Sequence, residues 1–77
     1  MRTIDRGRIL MNAKVTQWGD AQLEKGTQVL IQGAIMKFLR DVPDKSDDDV
    51  RVIEVEYKGM EMEMGQFRHY FTAVIEP

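Results

Sequence analysis

Few residues in this chain of 77 can do chemistry. The densest group is the acidic run Asp41, Asp44, Asp47, Asp48 and Asp49, with Ser46, the only serine, inside it. Several carboxylates close together suit a hard cation such as calcium. The helix-loop-helix calcium template needs oxygen ligands at alternate positions, glycine at the sixth and glutamate at the twelfth. Counted from Asp44, Ser46 and Asp48 fit, but the sixth position is Asp49 and the twelfth is Val55. The template fails, and a solvated loop is the expected state. A second option is that the carboxylates are offered to a basic partner.

His69 is the single histidine, and the chain has no cysteine. A multi-histidine or thiolate metal centre is therefore excluded. No serine or cysteine lies near His69 to be activated as a nucleophile. The glutamates fall on faces expected to be wet, where nothing raises a carboxyl pKa toward catalysis. No glycine-rich phosphate loop is present. The residues predict a protein that is not an enzyme and carries no cofactor or metal.

Binding chemistry is better represented. Met60, Met62 and Met64 alternate with Glu61 and Glu63, so period two puts three thioethers on one strand face. Methionine fills irregular core gaps and also serves adaptable binding faces. In so short a chain, core packing is the preferred reading. Trp18, Phe67, Tyr70 and Phe71 could stack on bases, but a single-strand binder also needs a positive groove. Here only Lys37, Arg40, Arg68 and the N-terminal cations are available, and net charge is −2. The preferred reading puts Phe67 and Phe71 in the core and leaves Trp18 and Tyr70 partly exposed. His69 is expected to be a half-buried strand residue. The candidate partner-contacting residues are then Met60, Met62, Met64, Tyr70, Trp18, Asp47, Asp48 and Asp49.

These side chains must be positioned by strands. Three apolar runs, 29–39, 50–57 and 67–75, carry β-branched and aromatic residues and are bounded by glycine, proline or aspartate. Ile9, Met11, Ala13 and Val15 alternate with more polar residues, a further strand signal. Residues 19–26 read as a turn that could hold one helical turn capped by Asp20. The run 29–39 is apolar on both parities, and Gly33 suggests one long strand bent there. Residues 41–49 form a loop, because Pro43 cannot donate to a ladder and aspartate disfavours strand. Ile53, Val55 and Tyr57 then alternate cleanly with Glu54, Glu56 and Lys58. Lys58-Gly59 is a two-residue turn leading into the methionine strand. Gly65 is expected to end that strand, 67–71 to form the next, and 72–75 to finish the fold.

The whole predicts a small all-β domain, an antiparallel, partly closed barrel of about five strands. Residues 1–10 are expected to be a flexible basic arm and residues 11–77 the single domain. Residues 1–14 hold four cations against one acid, a net +3, whereas residues 41–56 hold seven acids against two cations, a net −5. A chain this short buries only about 60% of the surface exposed when unfolded. The core is therefore marginal, and self-association into a homo-oligomer is one way to supplement it. The apolar stretches are far shorter than the roughly twenty residues of a membrane-spanning helix. The N-terminus lacks a secretory h-region, and no disulfide is available. Cytoplasmic residence without membrane attachment is the expectation.

The segment Lys25-Gly26-Thr27-Gln28-Val29-Leu30-Ile31-Gln32-Gly33 resembles an opening shared by several small barrels: lysine-glycine, alternating apolar residues, glycine. The end of the chain, Phe71-Thr72-Ala73-Val74-Ile75-Glu76-Pro77, resembles the last turn and closing strand of Src-homology-3-like barrels. That resemblance covers roughly residues 25–77 and implies a fold, with no family binding residues to carry over. The opening is also similar to a strand of the single-strand-binding type of OB-fold, which would imply nucleic-acid binding. That family interleaves aromatic and basic residues where this chain has Asp41, Asp44 and Asp47 to Asp49. The expected function is a small interaction module binding a protein partner, of the kind that serves as an accessory protein of a phage or mobile element. The alternative is a small OB-like nucleic-acid-binding protein.

Overall fold

A computed structural model gives the fold and describes residues 12–76. The basic arm expected at 1–10 lies outside the described residues. The chain forms one sheet of six antiparallel strands: β1 (Ala13–Gln17), β2 (Gln28–Ile31), β3 (Ala34–Asp41), β4 (Val50–Tyr57), β5 (Met60–Phe67) and β6 (Phe71–Ile75). Their spatial order is β1-β6-β2-β3-β4-β5, so β1 and β5 are edges and the sheet is not closed. The all-β antiparallel expectation holds, with one strand more than expected.

The additional strand comes from Gly33. The run 29–39 is not one bent strand. It is a hairpin, β2 and β3, joined by Gln32 and Gly33 at φ +52° and +82°. Two successive left-handed residues make the tight turn whose twist matches flanking strands. The turn also explains why both parities are apolar. Val29 pairs with Met36 and Leu30 with Ile35, so odd positions of β2 share a face with even positions of β3. Val29, Ile31, Met36 and Phe38 are buried, while Leu30 and Ile35 point outward. The ladder to β4 shifts between Phe38 and Arg40, a bulge that turns the end of β3.

The β4–β5 hairpin forms as expected around Lys58 and Gly59. Ile53 pairs with Met64, Val55 with Met62 and Tyr57 with Met60. Met62 and Met64 thus pack beside Ile53 and Val55 on the core. Gly65 does not end β5, which continues to Phe67. Residues 68–70 turn the chain instead of extending a strand, and β6 returns to lie between β1 and β2. The helical turn expected within 19–26 is a 3-10 turn at Trp18–Asp20, and Asp20 closes it rather than capping it.

Trp18, Val29, Ile31, Ile53 and Val55 are the largest fully buried side chains. Thr72 is the one buried polar residue among those described, and its hydroxyl donates to the carbonyl of Leu30 across the β2–β6 seam. Among the described residues no helix is long and apolar enough to cross a membrane.

Candidate functional site

Three connections meet at one end of the sheet: the 3-10 turn at 18–20, the acidic segment 42–49 and the turn 68–70. The turn 68–70 is tied by backbone bonds to each of the other two. The amide of Trp18 donates to the carbonyl of Tyr70 at 2.7 Å, and that of Gly19 to the carbonyl of Arg68 at 2.9 Å. Gly19 permits this approach. A Cβ there would lie 2.8 Å from the Cβ of Arg68, closer than side chains tolerate. The amide of Arg68 donates to the carbonyl of Asp49 at 2.8 Å, and its Nε to the carbonyl of Asp47 at 2.7 Å.

The acidic segment is ordered by its own polar side chains. Val42 is buried and Pro43–Lys45 form a short 3-10 turn. The hydroxyl of Ser46 donates to the carbonyl of Val42 and accepts from the amide of Val52, both at 2.9 Å. The Oδ1 of Asp47 accepts from the amides of Asp49 and Val50, both at 2.8 Å. These bonds, from Val50 first and Asp49 second, hold the Asp47 carboxyl below its ordinary value, and nearby Arg68 adds to the effect. Asp47 is thus the internal cap of the loop. Asp48 and Asp49 extend into solvent, with no ion pair to either among the described residues.

Arg51 locks this end to β4. Its Nη1 donates to the carbonyls of Trp18 at 2.9 Å and Ala21 at 2.8 Å, and its Nε reaches Asp41 Oδ1 at 3.0 Å. The guanidinium carbon lies 5.2 Å from the centre of the Trp18 ring. The indole Nε1 in turn donates to the carbonyl of Arg51 at 2.9 Å. Trp18, expected to be partly exposed, is 0% exposed and cannot touch a partner in the folded protein.

On this frame sits a surface group of aromatic rings. The centroids of Phe67 and His69 are 5.7 Å apart, of Phe67 and Tyr70 5.4 Å, and of His69 and Tyr70 5.0 Å. The first pair is stacked and the other two meet edge to face. Phe67 and Tyr70 are 46% and 47% exposed, and His69 is exposed as well. Three expectations are overturned here. Phe67 is not core, because it pairs with Val50 on the outer face of β5. Phe71 is not core either: Thr72 and Val74 take the inner face of β6, which sends Phe71 outward. His69 lies in a turn, not in a strand.

The structure therefore brings together Tyr70, Asp47, Asp48 and Asp49 among the residues singled out from the sequence. It separates the methionines from them. Met60 is exposed, but it lies seven residues along β5 from Phe67, roughly 23 Å away at strand rise. Met62 and Met64 are half-buried against the core. Phe67, His69, Arg68 and Arg51 were missed as contributors. The signal for Phe67 was its parity with Gly65 and Glu63 on β5; for Arg51 the sequence holds none. A second apolar surface crosses β1, β6, β2 and β3 on the outside of the sheet, formed by Val15, Phe71, Leu30 and Ile35. Among the described residues no group of three or more histidine, cysteine or acidic side chains is placed to hold a metal ion.

The residues at this end offer rings, carboxylates and a rigid backbone, the chemistry of recognition. No protein-family model, curated protein or solved structure matches the chain. What fold and site define is a class: a six-stranded antiparallel all-β domain with an aromatic and acidic loop end.

Proposed function

We propose that the chain is a non-enzymatic interaction module that binds a protein partner through the end built from residues 44–49 and 67–70. The observation that carries this reading is the group Phe67, His69 and Tyr70, held in mutual contact at the surface beside exposed aspartates. Exposed aromatic groups of this kind are what interfaces concentrate, because a large rigid ring gains much on desolvation and loses little entropy. The backbone ties from Trp18, Gly19 and Arg68 fix the turns beforehand, which lowers the ordering cost of association. The return of β6 to the side of β2 supports reading β2 to β6 as a Src-homology-3-like barrel with β1 added at its edge.

Affinity capture from cells that express the protein tests the reading, with the wild-type chain, Tyr70→Ala and Met60→Ala as baits. The expected outcome is a partner retained by Met60→Ala and reduced about tenfold or more by Tyr70→Ala. Equal capture by all three baits removes this surface from the account. Nucleic acid recovered in a salt-sensitive manner would favour the OB-like alternative.

A further inference from the structure

On the protein-binding reading above, we propose that the loop end takes a cationic segment of the partner: arginine or lysine side chains set over Phe67 and Tyr70 and paired with Asp48 and Asp49. The charge balance of the surface argues for it. Residues 44–49 contain four aspartates and one lysine. The ammonium of Lys45 is held 2.7 Å from Glu63, on β5. The guanidinium of Arg68 is turned onto the carbonyl of Asp47, inside the loop. Among the described residues Lys45 is thus paired with an acid, and Arg68 sets one positive charge against the carboxylates of Asp47, Asp48 and Asp49, of which the last two face solvent. The rings add a field of the same sign, since an aromatic face is negative. His69 stacks on one face of Phe67, so a cation is offered the remaining exposed surface of the Phe67 and Tyr70 rings.

A partner covering this surface must satisfy both features. An apolar or acidic segment would strip water from Asp48 and Asp49 and leave them unpaired, which opposes binding. A nucleic-acid backbone would meet them with like charge. A guanidinium or ammonium pairs with the carboxylates and is attracted by the ring faces. A second acidic surface sharpens the assignment. Glu54 pairs with Glu63 and Glu56 with Glu61 on the outer face of β4 and β5. There Arg40 already neutralises Glu54 at 3.0 Å and Lys45 neutralises Glu63. Coulomb attraction alone would favour neither surface strongly; rings beside carboxylates occur at the loop end.

The experiment is an amide-shift titration of the full ¹⁵N-labelled chain at about 0.15 M salt, where exposed charges are screened beyond about 8 Å. The probes are a short peptide of alternating arginine and glycine, its glutamate counterpart and a single-stranded oligonucleotide. The expected result is saturable shifts at 47–49 and 67–70 with the arginine peptide alone. Tyr70→Ala should weaken that binding about fivefold, and Asp48→Asn should weaken it and flatten its salt dependence. Both residues are exposed, and the same spectra report whether each variant is folded. Shifts confined to Glu54, Glu56, Glu61 and Glu63, shifts at 67–70 with the oligonucleotide, or no shift with the arginine peptide each overturn the proposal. A cellular partner still captured through Tyr70 would then leave protein binding standing and remove only its cationic chemistry. Failure of both experiments removes the surface altogether.

Discussion

Arg51 shows how a charged side chain can act as a structural clamp. It donates to two backbone carbonyls and a carboxylate while lying against the Trp18 ring, and its side chain is only 12% exposed. Lysine cannot reproduce that fork, since it has a point charge and no planar face. Arg51→Lys should cost about 2 kcal/mol, read as a lower urea midpoint at unchanged slope. Asp47 acts through charge and geometry together. Its folded pKa lies below the ordinary 3.8, so its carboxylate stabilises the fold at pH values above that figure. The contribution is lost as pH falls through the folded value. Asp47→Asn should therefore be less stable than wild type by a constant margin at neutral to mildly acid pH. The margin should shrink below about pH 4; urea midpoints measured across that range check it. Asp47 to Asp49 could be singled out from sequence because an acidic run after a proline stands out, and Tyr70 because it reads as a partly exposed aromatic. The burial of Trp18 could not, because its neighbours Gln17, Gly19 and Asp20 are polar or small and its lid is Arg51, 33 positions away.

Pairing among the elements follows from two tight turns. Lys58-Gly59 was legible because clean alternation stops on one side of it and resumes on the other. Gln32-Gly33 was not, because apolar residues occupy both parities across it and glutamine is an unusual occupant of a left-handed position. A bend and a hairpin both answer a glycine inside an apolar run, and only pairing distinguishes them. The hairpin makes a definite demand on residue type. Gly33→Ala puts a Cβ at φ +82° and should destabilise by about 1 kcal/mol, although nothing lies within 4 Å to clash. Gln32→Asn should raise stability by a few tenths of a kcal/mol, since asparagine favours the first left-handed position. Thermal melts of the two variants against wild type test both signs. A neutral Gly33→Ala would mean that β2 and β3 are joined by a different turn in solution.

At the scale of the whole molecule, an open sheet of six strands whose core holds a fully buried tryptophan from the turn after β1 concentrates stability in few contacts. A fully buried tryptophan replaced by alanine costs about 3–5 kcal/mol. Domains of this size have total stabilities near the lower end of about 5–15 kcal/mol. The indole of Trp18 also donates to the carbonyl of Arg51, so its loss removes that bond together with the packing, while the backbone bond to Tyr70 remains. Trp18→Ala should therefore be largely unfolded at 25 °C, whereas Tyr70→Ala, at an exposed ring, should keep its stability within about 1 kcal/mol. Far-UV circular dichroism and amide dispersion separate the two outcomes. The contrast also decides which of the two residues the fold depends on. If Trp18→Ala stayed folded, the sheet would be carried by its strand pairing without the Trp18 anchor. If it unfolds while Tyr70→Ala does not, one tryptophan holds the frame and the exposed Tyr70 ring is not required for it.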